Sequence, residues 1–148
     1  FNLVYIGEDG KEHRAFVVHR SSIGSIERTM SFLIEKYAGA FPLWLSPTQV
    51  RILPISEKHL EYAKSVYEEF RKENIRTEID ESNETLGKKI RNGKTEKIHY
   101  LLVIGDKEIE SETVSVESRD EGQLGAQKLE GLISKLKKEI SEKKSGKK

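Results

Sequence analysis

Tyr100-Leu101-Leu102-Val103-Ile104 is a continuous apolar run, and Gly105 closes it. A short run without polar residues is typical of a central strand whose two faces are both buried. Downstream, residues 113–117 alternate between apolar and polar side chains, which predicts a strand with one face in water. Upstream, the short apolar segment 49–53 and residues 76–79 predict two further short strands. The central run therefore predicts a sheet to which the other three segments contribute strands.

Segments with helical spacing separate and follow these predicted strands. Ser56 is a suitable N-cap for a helix with an apolar stripe made of Leu60, Ala63, Val66, Tyr67 and Phe70. Ser82 or Asn83 is the expected cap of a shorter helix that Asn92-Gly93 ends, and apolar residues at helical spacing over 129–140 predict a last helix. We expect an α/β fold in which a mixed sheet of about five strands is flanked by helices on both faces.

The first forty residues have a different pattern. Residues 2–6 and 12–18 predict a hairpin around Asp9-Gly10, and an amphipathic helix follows with Gly39 as its C-terminal cap. Residues 39–47 contain two prolines and no periodicity, but several apolar side chains, so we expect a linker that packs against other residues. The predicted domains are 1–43, a hairpin and helix from an antiparallel domain, and 44–148, with a disordered basic tail from about residue 141.

Composition excludes several classes of protein. The chain has 148 residues and a formal net charge of +1, so its overall charge does not indicate a nucleic-acid binder. The charge is unevenly distributed, since residues 86–99 carry five basic side chains against one acid. The absence of cysteine excludes disulfides and a thiolate zinc site within this chain. No apolar run is long enough for a membrane span, and we expect a cytoplasmic protein without a membrane partner.

The sequence from His19 to Arg28 predicts a phosphate site on physical grounds. A strand-like run ends at His19-Arg20, passes through small residues with Gly24, and enters a helix whose first turn carries Glu27 and Arg28. A helix start favours an anion, and an arginine adds a permanently charged fork for phosphate. The same pattern also fits an ordinary surface helix with an intrahelical ion pair, so the residues alone leave both interpretations open.

As written, His19-Arg20-Ser21-Ser22-Ile23-Gly24-Ser25-Ile26-Glu27-Arg28 resembles motif 3 of class II aminoacyl-tRNA synthetases. Its continuation through residues 32–47 is similar to the threonyl-tRNA synthetase family in particular. The resemblance implies that Arg28 is a catalytic residue that binds the terminal phosphate of ATP. It also implies that Gly24 allows close approach of the backbone to the nucleotide and that Ser25 lines the same site.

The same resemblance gives His19 a metal role. Threonyl-tRNA synthetases hold a catalytic zinc ion with one cysteine and two histidines, and the second histidine lies nine residues before the motif 3 arginine. His19 lies nine residues before Arg28. The other ligands would be upstream of this chain, so no metal is expected to bind here. ATP, Mg and Zn are expected cofactors of the intact enzyme only.

Residues 49–140 resemble the anticodon-binding domain shared by the threonyl, prolyl, histidyl and glycyl enzymes. The matching strings are residues 50–59, Asn83-Glu84 with Lys89-Ile90-Arg91, and residues 103–108. The resemblance implies that Glu108 binds the middle guanine of the anticodon, and that Asn83 and Arg91 contact bases or phosphates of the anticodon loop. By charge, Lys88 and Lys89 are expected to contact phosphates.

Two positions depart from the family pattern. Thr85 stands where the family often has lysine, and Glu117 stands where it usually has an arginine that contacts the last anticodon base. Arg119 is the candidate replacement for that arginine.

The resemblance implies a C-terminal fragment of a threonine–tRNA ligase, inactive by itself, with threonine tRNA, the upstream catalytic domain and a second subunit as partners. The alternative is a non-catalytic anticodon-binding-like module used for protein association or regulation. His19 and the string Gly105-Asp106-Lys107-Glu108 disfavour another class IIa enzyme such as the prolyl type. A generic α/β small-molecule binder would have a glycine-rich loop after its first strand, and Leu53-Pro54-Ile55-Ser56 contains no glycine. We also expect exposed apolar side chains at Leu3, Tyr5, Phe16 and Val18, on a sheet whose other strands are missing.

Overall fold

The computed structural model describes residues 2–21 and 23–143. By its internal contacts the chain divides into two compact units, Phe1–Phe32 and Leu33–Lys148. The boundary between the units falls within the first helix, α1 (Ile26–Tyr37). The last helix continues to Ser141, and the predicted disordered tail falls mostly on residues 144–148, outside the described residues. The predicted domain boundary after residue 43 stays a prediction.

The first unit contains a short antiparallel hairpin. Its strands are β1 (Val4–Ile6) and β2 (Glu12–Arg14), with Tyr5 opposite His13. The predicted hairpin is therefore present, but the second strand is shorter than expected because residues 15–18 have no strand partner in the part of the chain described. Apolar side chains are exposed here, as predicted: Leu3 is 51% exposed, Tyr5 56%, Phe16 100% and Val18 89%.

The second unit is built on a five-stranded sheet with the order β4-β3-β5-β6-β7. Its strands are β3 (Val50–Pro54), β4 (Thr77–Ile79), β5 (Tyr100–Ile104), β6 (Thr113–Ser118) and β7 (Gly122–Lys128). The strands β4, β3 and β5 run parallel, whereas β6 and β7 are antiparallel to their neighbours. The run at residues 100–104 is the central strand, as predicted. The pattern located four of these strands and missed β7.

Helices cover both faces of this sheet. They are α2 (Leu60–Lys72), α3 (Leu86–Thr95), the short α4 (Asp106–Glu110) and α5 (Leu129–Ser141). Consecutive strand residues face opposite sides. Ile52 packs in one cluster with residues of α2 and α5, and Leu53 packs in another with residues of α3. In the described part of the chain no helix is long and apolar enough to span a membrane.

The proline-containing segment before β3 packs against the rest of the second unit, to which it belongs. Leu43 is fully buried in the main core cluster, and the Gln49 Nε2 amide donates to the Leu43 carbonyl at 2.9 Å. Gly39 has a φ of +78°, a left-handed conformation that suits glycine at the end of a helix. The expectation of a packed linker is met by burial of Leu43.

The structure corrects the predicted bounds of α3. Thr85, not Ser82 or Asn83, precedes its first residue, and the helix continues through Gly93 to Thr95. Gly93 is buried, and a Cβ placed there would lie 2.6 Å from Cδ2 of the buried Leu101 on β5. The glycine therefore permits close packing of helix against strand, and it does not end the helix.

The substitution Gly93→Ala is expected to lower the free energy of unfolding by about 1–2 kcal/mol, because overpacking against Leu101 exceeds the gain in helix propensity. Gly87→Ala is the matched control, since nothing in the described structure lies within 4 Å of a Cβ there. The control is expected to raise stability by about 0.5 kcal/mol. Urea unfolding of both variants measures the difference, and equal stabilisation by the two would contradict the packing argument.

Candidate nucleic-acid interface

The carboxyl ends of the three parallel strands form the edge at which the candidate site lies. The chain leaves β3 toward α2 on one face and leaves β4 toward α3 on the other, and it leaves β5 directly into α4. Where adjacent strands send their connections to opposite faces, a crevice opens outside the carboxyl ends. Two of the predicted anticodon-binding residues lie at this edge: Asn83 in the loop after β4, and Glu108 in α4, directly after β5.

Glu108 lies in the first turn of α4. Its carboxylate oxygen Oε2 accepts a hydrogen bond from the Gly105 backbone N–H at 3.0 Å. The side chain is half-buried. Each carboxylate oxygen has two lone pairs, so this contact fixes the group and leaves acceptor capacity on both oxygens. The arrangement can bind a pair of N–H donors.

A polar cluster joins the loop after β3 to the start of α4. His59 Nε2 lies 3.2 Å from Asp106 Oδ1, and Lys58 Nζ lies 2.7 Å from the same oxygen. Hydrogen bonds from Lys58 and His59 hold the pKa of Asp106 below its ordinary value. Sequence reasoning quoted these residues within its matching strings but gave none of them a role. The signal was present, because a histidine in the loop after one parallel strand meets an acid in the loop after its neighbour.

Asn83 is exposed at the margin of a small cleft between the loops after β3 and β4. The cleft has a volume of about 50 Å³, and Ser56, Glu84 and Lys89 also line it. Since Thr85 precedes the first residue of α3, Asn83 does not cap this helix, contrary to the expectation from sequence. The structure thus places Asn83 where its amide can meet a ligand at the crevice.

Lys89 does not have the surface position that its predicted phosphate contact requires. It is only 4% exposed, and its ammonium group donates to the carbonyls of Pro54 at 3.2 Å and Asp80 at 2.9 Å. Pro54 is the last residue of β3, and Asp80 directly follows β4. We therefore correct the prediction: Lys89 connects the ends of these two strands from inside, and its apolar stem fills space beneath them.

Arg91 and Lys88 are exposed on α3, as phosphate contacts would be. Lys88 forms an ion pair with Glu84 at 2.7 Å. Further along the helix, Lys94 Nζ lies 2.5 Å from Glu117 Oε1 on β6. Glu117, which stands where the family usually has arginine, is thus paired with Lys94, and this pairing partly neutralises the carboxylate charge.

Arg119 and Glu108 lie at opposite ends of the central strand β5. Because β6 is antiparallel to β5, Ser118 pairs with Tyr100 at the amino end of the central strand. The length of β5, roughly 17 Å for five residues, separates the two ends. Arg119 donates to the Lys97 carbonyl at 3.1 Å and pairs with Asp120 at 3.0 Å. The structure does not bring Arg119 together with Glu108 and Asn83, and its role as a replacement for the family arginine stays a prediction.

The motif at the start of α1 belongs to the first unit. Gly24 has a φ of +79°, and nothing described lies within 4 Å of a Cβ placed on it. Ser25 Oγ accepts the Arg28 backbone N–H at 3.3 Å, and its hydroxyl donates to Glu27 at 2.6 Å. This hydroxyl hydrogen bond lowers the pKa of Glu27. Gly24, Ser25 and the exposed Arg28 therefore cluster at one helix start, where an anion is favoured.

His19 lies in the irregular segment between β2 and α1 and is exposed. Within residues 2–21 and 23–143, no three His, Cys, Asp or Glu side chains are grouped so that they could hold a metal ion. The described residues do not by themselves fit a zinc site.

Residues 49–139, more than half of the chain, match the family model of the anticodon binding domain. The chain therefore belongs to the anticodon-binding-domain family. Its mixed five-stranded sheet with flanking helices has the fold of that domain in class II synthetases.

The curated relatives are threonine–tRNA ligases. The chain is 52% identical over 143 residues to that of Caldanaerobacter subterraneus subsp. tengcongensis, and 49% identical over 145 residues to that of Clostridioides difficile. These alignments cover 97% and 98% of this chain. They cover 22% and 23% of the relatives, so the chain spans less than a quarter of their length.

The solved structures that resemble this chain are also aminoacyl-tRNA synthetases. The RNA-binding domain of threonyl-tRNA synthetase from Cryptosporidium parvum matches with a TM-score of 0.72 and 36% identity, over 93% of this chain and 35% of that chain. Prolyl-tRNA synthetase from the same organism matches with a TM-score of 0.61 and 28% identity, over 68% of this chain and 22% of that chain. The resemblance to the threonyl branch is confirmed by these relatives, and the prolyl alternative is less well supported.

Proposed function

We propose that this chain is the C-terminal part of a threonine–tRNA ligase, that it binds the anticodon loop of threonine tRNA, and that Glu108 recognises the middle guanine. The observation that carries the proposal is the fixed, half-buried carboxylate of Glu108 at the carboxyl edge of the parallel strands. Similarity to threonine–tRNA ligases along nearly the whole chain supports it.

A carboxylate suits guanine for a chemical reason. The Watson–Crick edge of an unstacked guanine presents the N1–H and the exocyclic amine side by side, and both are donors. Glu108 offers two acceptor oxygens, one of which is already oriented by the Gly105 N–H. Adenine presents an acceptor at N1 instead, so the carboxylate disfavours it. Asn83 at the crevice and Arg91 on α3 would contact neighbouring bases or phosphates.

The first unit would contribute to the reaction of the intact enzyme. Gly24, Ser25 and Arg28 fit the phosphates of ATP, because they combine a helix start, an unobstructed backbone and a permanent positive charge. These residues would hold ATP, which with Mg would supply the chemistry of amino-acid activation. His19 would be one ligand of a zinc ion whose other ligands are not in this chain.

The proposed partners besides tRNA are an upstream catalytic domain and a second subunit, and the proposed compartment is the cytoplasm. The exposed apolar side chains of the first unit support a protein partner for that unit.

The proposal is tested by the affinity of this chain for threonine-tRNA transcripts at stated salt. We expect the guanine transcript to bind at least about tenfold more tightly than one with adenine at the middle anticodon position. Inosine removes only the exocyclic amine and should have an intermediate effect. Glu108→Gln should abolish the preference, whereas Glu110→Gln, an exposed glutamate on the same helix, should preserve it.

The other outcomes have distinct meanings. Equal, salt-sensitive binding of all transcripts would leave only non-specific attraction to phosphates and would refute base recognition. Absence of binding to any transcript would favour the alternative, a module for protein association. Loss of preference in both glutamate variants would show a general charge effect and would remove Glu108 from its proposed role.

A further inference from the structure

His59 is a buried imidazole that the proposed chemistry does not use. It is only 2% exposed. Its Nδ1 accepts the backbone N–H of Ser56 at 3.1 Å, which requires Nδ1 to be unprotonated. In the neutral ring the proton is then on Nε2, so the contact of 3.2 Å with Asp106 is a donation from His59 to the carboxylate. The backbone N–H of Ser56 thus determines the tautomer of His59, and this tautomer donates a hydrogen bond to Asp106 at the start of α4.

Asp106 is the first residue of α4, a helix of five residues. An isolated helix of this length is unstable, so contacts from outside must fix its position. The backbone provides one such contact, since the Ile55 N–H donates to the Ile104 carbonyl at 3.0 Å. Ile109 of α4 packs against the main core cluster, and the side chains of Lys58 and His59 provide two further contacts, both on Asp106.

The two side-chain contacts differ in their expected strength. Lys58 is 64% exposed and Asp106 is 65% exposed, and an ion pair between solvated groups contributes about 0–1 kcal/mol. The imidazole of His59, by contrast, is held on both sides by packing and by Ser56. We therefore expect His59 to determine where the Asp106 carboxylate lies.

Glu108 follows Asp106 by two residues in the same helical turn. Its carboxylate bonds back to the N–H of Gly105, the residue that precedes Asp106. A displacement of the helix start would therefore move the Glu108 carboxylate with it. Binding two donors of a base at once requires the acceptors to be held closely in place.

We propose that His59 and Asp106 are positioning residues, and that their hydrogen bond orients Glu108 for recognition of the base. This inference rests on the proposed function of Glu108. The pair would act through Glu108 and would not itself touch the RNA base.

The first measurement needs no RNA. In Asp106→Ala, hydrogen exchange at the Gly105 and Ile109 amides should become about tenfold faster, since the α4 turn loses its side-chain anchor. The exposed position of Asp106 makes this variant suitable, because no buried group is removed. Asp106→Asn retains an acceptor for His59 and should restore most of the protection. Lys58→Ala is the control for loss of the exposed ion pair and should change exchange by less than about threefold.

The second measurement uses the guanine and adenine transcripts. Asp106→Ala should reduce the guanine preference at least about fivefold, the effect of losing about 1 kcal/mol of oriented binding, while affinity for the adenine transcript stays the same. Unchanged amide exchange in Asp106→Ala would overturn the proposal whatever the RNA does. Faster exchange with an unchanged guanine preference would overturn it too, as would equal weakening of both transcripts.

The guanine preference of the unsubstituted chain distinguishes failure of the proposed function from failure of the positioning role. If that chain shows no guanine preference, base recognition by Glu108 is refuted, and the role of His59 and Asp106 in recognition is refuted with it. If it shows the preference, the exchange and binding results on Asp106→Ala decide the positioning role alone.

Discussion

Replacing Lys89 by alanine is expected to lower the free energy of unfolding by about 3 kcal/mol, because two buried carbonyl groups lose their hydrogen-bond donor and the lysine stem leaves a cavity. The ammonium group donates to Pro54 and Asp80, which end one strand and follow another. At 4% exposure, water cannot freely replace it. Urea denaturation measures the change through the transition midpoint.

Two further variants separate the causes. Lys89→Met retains most of the stem, so it reports the loss of the hydrogen bonds alone and should cost about 2 kcal/mol. Lys88→Ala is the matched surface control, since the neighbouring lysine is exposed and pairs only with Glu84 among the described residues. Its stability should change by less than about 0.5 kcal/mol.

RNA binding distinguishes the same two lysines. If Lys88 contacts a phosphate of the anticodon loop, Lys88→Ala should reduce the slope of log affinity against log salt by about 0.7, the value for single strands, whereas Lys89→Met should leave the slope unchanged. A stable Lys89→Ala variant with a reduced slope would contradict the structure and would restore the phosphate contact predicted from sequence.

Truncating Leu43 to alanine is expected to destabilise the second unit by about 3 kcal/mol, the usual cost of removing a fully buried leucine side chain. Leu43 precedes the matched family region, which begins at residue 49, yet it lies in the main core cluster. The experiment therefore tests where the folded domain begins. Fluorescence of Trp44, the only tryptophan in the chain, reports on this unit together with far-UV circular dichroism.

Ile34→Ala is the control for this experiment. Isoleucine and leucine are isomers, so the same atoms are removed, but Ile34 is 51% exposed on α1. Its replacement should change stability by less than about 1 kcal/mol, since a partial loss of contact is offset by the higher helix propensity of alanine. If Leu43→Ala were equally mild, the boundary predicted after residue 43 would be supported.

The sequence predicted the buried elements of the fold well and the edge elements poorly. The apolar run at 100–104 identified the central strand because burial on both faces leaves a continuous signal. The edge strand β7 contains two glycines and two glutamines and is mostly exposed, so it has no alternation to detect. A register shift between Val116 and Glu117 weakens the pattern further.

Within the candidate site, residue type was predictable but environment was not. Glu108 lies at the carboxyl edge of the parallel strands, where the resemblance implied a base contact. Lys89 was assigned to phosphate by its charge, because nothing in a single sequence reveals that two distant carbonyls converge on it. Arg119 was offered as a replacement only because it lies two residues from position 117, and the antiparallel pairing of β6 puts position 117 near the amino end of β5.

The topology of the sheet also determines the order in which the chain can fold during synthesis. The first strand of the second unit, β3, lies between β4 and β5, and the whole of α2, β4 and α3 separates it from β5 in sequence. A nascent chain that ends before Tyr100 therefore exposes an unpaired edge of β3, because the backbone groups that pair with β5 have no partner yet. Because chains emerge from the ribosome amino end first, this unit remains open to association with other nascent chains until β5 has emerged.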